Sequence, residues 1–277
     1  MSPTSYEYRH LRVKQEGRVV WVTLDNPPIN LITKGLYIEL LKLSKALEAD
    51  TSVTVVVFKS ANPDFFLAHF DVTAILEFPT EGDAARSDEP NPFHVMCNRF
   101  QSMDKVTIAQ IEGRAGGGGS ELAASMDMRF GVLGKTVINQ MEVPLGILPG
   151  GSGTQRLPRL VGRGRALEII LGADDLDAET AERWGYLNRA LDADTIGPFV
   201  DNLARRIAGF PPEAVRLAKA AIGNAERPLD DGLREESFLF EQLLRTADAP
   251  EAMRRFLNGG GQTRPGELRI GALNTEF

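Results

Sequence analysis

Val106-Thr107-Ile108-Ala109-Gln110-Ile111 is followed, after Glu112, by Gly113-Arg114-Ala115-Gly116-Gly117-Gly118-Gly119-Ser120-Glu121-Leu122-Ala123-Ala124. The first six residues are β-branched and apolar and read as a strand. The glycine run reads as a flexible loop, and a helix is expected from about Ser120. Four consecutive glycines lose much backbone freedom on folding. They make sense where backbone must approach something closely, and free N–H groups at a helix start can hold an oxyanion.

Working outward, Arg18 to Leu24 and Val53 to Phe58 are further strands, and the second is almost continuously apolar, as expected of a strand buried on both faces of a parallel sheet. Between them Leu36, Leu40, Leu43 and Leu47 recur at helical spacing, which predicts a helix over Thr33 to Ala49. Asp127 to Val132 reads as the next strand, and Val143 to Pro158 as a glycine- and proline-rich loop. Phe78 to Pro92, with Pro79, Gly82, Pro90 and Pro92 among acidic residues, reads as a surface loop: an insertion or a lid. Helices dominate after Arg159, with candidates over 212–224, 229–245 and 250–257. The alternation predicts an α/β core over residues 1–205 and a helical C-terminal region over 206–277.

Composition narrows the function. The chain has 277 residues, 43% hydrophobic, with 31 Lys+Arg against 38 Asp+Glu, a net charge of -7. An acidic total opposes nucleic acid as a partner, because phosphate binding needs basic patches. No apolar run approaches the roughly 18 residues of a membrane span, so no membrane is expected. One cysteine, Cys97, excludes an intrachain disulfide and favours a reducing compartment. Without the basic start and apolar stretch of a signal peptide, the cytoplasm is the expected location.

Several motifs fail on spacing. A phosphate loop ending at Gly134-Lys135-Thr136 needs glycine at Arg129, and a dinucleotide fingerprint from Gly116 needs glycine at Glu121. Neither Ser120 nor Ser152 lies in a G-x-S-x-G nucleophile elbow, which opposes a serine hydrolase. His10, His69 and His94 show no metal-ligand spacing, so no metal is expected. What survives is strand, glycine loop, helix start and acid. Alone, Glu121 reads as a dipole-stabilising or capping glutamate and Glu142 as a surface acid.

Together the segments resemble one family. Phe66-Leu67-Ala68-His69-Phe70-Asp71-Val72, Gly113 to Leu122, and Gln140-Met141-Glu142-Val143-Pro144-Leu145-Gly146 running on to Leu157 are similar to three signatures of the crotonase (enoyl-CoA hydratase/isomerase) superfamily. Its Asn-Pro-Pro-x-Asn start stands at Asn26 to Asn30. Its C-terminal pattern stands at Pro212 to Lys219, at Gly232, Leu233 and Glu235, and at Asp248 to Phe256. The resemblance implies a spiral of β-β-α units with a C-terminal helical trimerisation region, in homotrimers or homohexamers. It implies an oxyanion hole from the N–H groups of Phe70 and Gly118, catalysis by Glu121 and Glu142, and substrate contacts from Ala68, His69, Asp71, Gly117, Leu145, Gly146 and Pro149. It implies no tightly bound cofactor, with coenzyme A entering as part of the substrate, and a place in fatty-acid metabolism.

Both acids being present favours a hydratase over a double-bond isomerase, which needs the hole and one acid; a non-catalytic scaffold is opposed by the same pair. The chain departs from the pattern at four places. His69 and Phe70 stand where the family has glycine and alanine, which either narrows the acyl pocket or shifts the loop gripping the pantetheine arm. Met141 replaces the proline before the second acid. After Phe256 the chain continues Leu257-Asn258-Gly259 without the usual basic pair, which keeps an acyl-carrier-protein thioester open beside acyl-CoA.

Overall fold

The computed structural model describes residues 7–83 and 85–275. Strands β1 (Leu11–Glu16) and β2 (Val19–Leu24) form an antiparallel ribbon. Helix α1 (Lys34–Ala49) follows, capped by the Thr33 side chain on the Leu36 N–H, with Leu36, Leu40, Leu43 and Leu47 buried. These four form the helix's apolar stripe.

From there the chain alternates between two sheets. β3 (Val55–Ser60) joins the first sheet and β4 (Phe65–Leu67) the second, followed by α2 (Val72–Leu76) and α3 (Pro92–Ser102). β5 (Val106–Ile111) and β6 (Arg114–Gly116) repeat the step, followed by α4 (Gly117–Ala124). β7 (Met128–Val132) and β8 (Val137–Asn139) repeat it again, followed by a 3-10 turn at Val143–Leu145, α5 (Gly153–Val161) and α6 (Arg163–Gly172). β9 (Leu176–Asp177), α7 (Ala178–Trp184), β10 (Arg189–Leu191) and α8 (Ile196–Gly209) complete the layers. The sheets have the orders β1-β2-β3-β5-β7-β10 and β4-β6-β8-β9. This is the expected spiral of β-β-α units.

The continuous apolar strands earn their composition. Val20, Val22, Val56, Phe58, Ala109 and Ile111 face the core shared with α1 and the second sheet. Val19, Val55, Val57, Val106 and Ile108 face a second core closed by Ile196, Val200, Ala204 and Ala208 of α8. The register Val19↔Val55 and Val57↔Ile108 keeps the two sets on opposite faces.

Helices α9 (Pro212–Gly223), α10 (Leu229–Leu244) and α11 (Asp248–Asn258) match the expected C-terminal helices, followed by short α12 (Arg264–Glu267) and α13 (Ile270–Leu273). The expected boundary at 205/206 falls inside α8, whose buried face is part of the sheet core. Helix α4 begins at Gly117, three residues before the expected Ser120, so Glu121 lies past the first turn. The segment 143–158 is not one loop, because α5 starts at Gly153 and runs through Pro158.

Candidate active site

The Asn26–Asn30 turn sets the site's first wall. Asn30 Nδ2 donates to the Phe65 and Phe66 carbonyls at 3.2 and 3.1 Å, and Asn26 N–H donates to Asn30 Oδ1 at 2.8 Å. This holds the next residues against 68–71: Ile32 N–H donates to His69 O at 2.9 Å, and Asp71 N–H to Ile32 O at 3.2 Å. Parallel pairing uses alternate residues, so the Phe70 N–H points away from Ile32. It meets no acceptor among the described residues.

Helix α4 starts opposite. A Cβ at Gly119 would lie 2.5 Å from Leu67 O, so only glycine lets the helix pack this close to β4. Gly117 has φ +45°, and a Cβ there would lie 2.8 Å from Glu142 Oε1. Gly118, the second residue of α4, has no acceptor four residues back within the helix. A Cβ on it would lie 3.5 Å from the Phe70 nitrogen. Two N–H groups without acceptors are thus brought side by side, one of them at the positive end of a helix.

Glu121 is buried, and its Oε1 accepts from Gly151 N–H at 2.8 Å and Gly153 N–H at 2.7 Å. Its carboxylate therefore sits at the N-terminus of α5, whose N-cap Ser152 makes no side-chain cap of its own. Burial raises the Glu121 pKa, and the two N–H donors oppose the rise. The 150–153 loop is fastened from α3: His94 Nε2 donates to Gly150 O at 2.6 Å, Arg156 Nε donates to Ser152 Oγ at 2.8 Å, and Arg156 Nη2 to Asn98 Oδ1 at 2.7 Å.

Glu142, also buried, directly precedes the 3-10 turn, and its Oε2 has no hydrogen-bond partner among the described residues. Its pKa is pushed up from 4.5 to about 7, first by burial and then by the charge of Glu121. Both glutamates, Gly118, Phe70 and His69 line one cavity of about 450 Å³. An ionisable pair, one group clamped by N–H donors and one held near neutrality, beside free N–H groups can move protons next to a developing oxyanion.

With this geometry in view, comparison with known proteins is decisive. The sequence model of the enoyl-CoA hydratase/isomerase family matches residues 14–262. The chain belongs to that family. It is 32% identical to the short-chain-enoyl-CoA hydratase of Clostridium acetobutylicum over 91% of this chain and 95% of that protein. It is also 32% identical to the 2,3-dehydroadipyl-CoA hydratase of Escherichia coli, over 89% and 95%. Among solved structures, an enoyl-CoA hydratase subunit from Geobacillus kaustophilus superposes with a TM-score of 0.81 at 30% identity, covering 94% of this chain and 98% of that one.

Within this family member, the residues expected at the site divide. Glu121, Glu142, Phe70, Gly118, His69 and Leu145 meet at the cavity. Ala68, Asp71, Gly117, Gly146 and Pro149 are not part of its wall. Asp71 is the N-cap of α2, its carboxylate accepting from Thr73 N–H at 3.0 Å. Gly146 closes the 3-10 turn in the left-handed region, and Pro149 packs on Gly153. His69 Nδ1–H donates to Phe70 O at 2.8 Å, since a carbonyl can only accept. Phe78 and Pro92, from the ends of the expected loop, line the cavity. Tyr37 and Phe93, which the sequence reading did not single out, also line it; their helical spacing looks like core, and only Phe93 carried an added signal, next to Pro92 at a helix start.

Proposed function

We propose that this chain is an enoyl-CoA hydratase, adding water across the α,β-double bond of an acyl thioester or removing it. The observation that carries this is the convergence of Glu121 and Glu142 on one cavity with the Phe70 and Gly118 N–H groups. The relatives named as hydratases at 32% identity support it.

A thioester-conjugated alkene is electrophilic at its β-carbon, and adding water there builds negative charge on the thioester oxygen. In this reading the Phe70 and Gly118 N–H groups receive that charge, an arrangement in which one donor is typically worth about 10²–10³ in rate. Glu121 deprotonates the water, its carboxylate oriented by the Gly151 and Gly153 N–H donors. Glu142, whose raised pKa of about 7 keeps the acid form populated near neutrality, delivers the proton to the α-carbon. Positioned acid–base catalysis contributes roughly 10²–10⁴.

The substrate in this reading is an acyl-CoA, with an acyl-carrier-protein thioester as the alternative, in a cytoplasmic setting and with no tightly bound cofactor. Among the described residues no helix is long and apolar enough to cross a membrane. The C-terminal helices build a homotrimer or homohexamer: Ile222, Leu229, Leu233, Phe238, Phe240 and Leu257 are all exposed in the single chain, an apolar surface of the kind that marks an interface.

The test is loss of the conjugated alkene's ultraviolet absorbance on a panel of enoyl-CoA substrates. Glu121→Gln and Glu142→Gln should each lower hydration by at least about 10²-fold while thioester binding is kept. An isomerase using Glu142 alone would tolerate Glu121→Gln and add no water. Wild-type rates in both variants would favour a binding scaffold instead.

A further inference from the structure

The cavity is walled largely by aromatic and aliphatic side chains. Tyr37 from α1 and Phe93 from α3 stack at 6.0 Å between centroids with their planes 23° apart. Phe70 meets both edge-on, at 6.3 and 6.1 Å. Three rings from three separate segments thus form one continuous wall of the cavity. At about 30 Å³ for each water-sized group, the four carbons of a crotonyl group, the thioester sulfur and a water together fill roughly 180 Å³, under half of its 450 Å³.

The apolar lining continues to the mouth. Phe78, Leu145 and Leu148 line the cavity yet are 57%, 49% and 61% exposed. Clustered exposed apolar side chains of this size mark a surface that an apolar partner covers, and here that surface opens onto the acids. No lysine or arginine is among the described residues that line the cavity. A charged group at the tail of the acyl chain would lose its hydration there without a counter-ion.

We propose that the acyl group handled here is bulky, uncharged and apolar, larger than four carbons, packed against the Tyr37–Phe70–Phe93 wall and covered by the Phe78 and Leu145–Leu148 rims. This rests on the hydratase reading. Both a medium alkyl chain and an aryl ring carry the required chemistry. An alkyl chain gains about fourfold in binding for each further methylene buried, whereas a ring gains from edge and face contacts with the wall.

The experiment compares kcat/KM for hydration of crotonyl-CoA, 2-octenoyl-CoA, cinnamoyl-CoA and 2,3-dehydroadipyl-CoA, whose acyl tail ends in a carboxylate. Octenoyl-CoA, cinnamoyl-CoA or both should exceed crotonyl-CoA by at least about tenfold, the larger of the two identifying chain or ring. The carboxylate-ended substrate should lie at least about tenfold below octenoyl-CoA. Leu148→Arg, at an exposed position that leaves the core untouched, should raise the ratio of carboxylate-ended to octenoyl turnover by about tenfold or more. Crotonyl-CoA matching the larger substrates, or a ratio unmoved by Leu148→Arg, overturns the proposal while the hydratase reading stands. Hydration of none of the four overturns both.

Discussion

Replacing Glu121 by glutamine probes the electrostatic link between the two acids separately from their chemistry. Glutamine keeps an amide oxygen that can accept from Gly151 and Gly153, so the side chain stays in place while its charge is lost. In the native protein Glu142 titrates at about 7 rather than 4.5, with burial the larger cause and Glu121's charge the smaller. The rise from 4.5 to about 7 is about 2.5 pH units, and as the smaller cause Glu121's charge supplies at most about half of it, on the order of 1 pH unit or about 1.4 kcal/mol. Glu142 in the Glu121→Gln protein should therefore titrate near 6 (~1 pH unit lower) and remain above 4.5, because burial is untouched. Isotope-edited infrared spectroscopy follows the carboxyl and carboxylate bands across pH, and a Glu121→Gln/Glu142→Gln double variant assigns them. An unmoved midpoint would show that Glu121's charge does not reach Glu142. A fall all the way to 4.5 would show that burial is not the main cause.

Three further outcomes follow from the same geometry. Gly151→Ala keeps an allowed backbone but places a methyl 2.7 Å from Phe93 Cε1 and closer still to Glu121 Oε2; hydration should fall by at least about tenfold, measured at unchanged circular dichroism, because small misplacements of reacting groups are costly. Glu142→Gln should stabilise the protein at alkaline pH: between pH 4.5 and about 7 the folded chain holds a proton that the unfolded chain has released, so native stability falls as pH rises through that window. The variant lacks this loss, so its advantage, on the order of 1–3 kcal/mol at pH 8, should vanish by pH 4, as read from thermal midpoints at the two pH values. Light scattering at micromolar concentration should give a trimer or hexamer, and Phe238→Asp with Phe240→Asp should lower the measured mass; a wild-type monomer contradicts that assembly.

Much of the architecture was legible because long elements carry strong periodicity. The leucines of α1 and the valines of β3 and β5 announce a helix and buried parallel strands without tertiary context. The second sheet was not legible, because β4, β6, β8 and β9 have three, three, three and two residues, too short for alternation to register. Helix starts were misread where a distant group creates them. α5 lacks a local cap and begins under Glu121, a residue 32 positions earlier. The acids themselves were visible through the family pattern, but their burial, which changes their chemistry, is a product of the fold. Tyr37 stayed hidden because an aromatic on a leucine-rich helix looks the same whether it fills a core or faces a ligand.

The described residues that line the cavity run from Tyr37 to Gly151 and no further. Beyond that point Gly153 still holds the Glu121 carboxylate, whereas α8 closes the far face of the sheet and Lys219 of α9 ties back to Asp127 at 2.7 Å. The cavity lining and the exposed apolar residues of α9 to α11 thus lie in separate stretches of the chain. Substitutions in the one stretch are therefore expected to combine nearly additively with substitutions in the other, because few contacts join them.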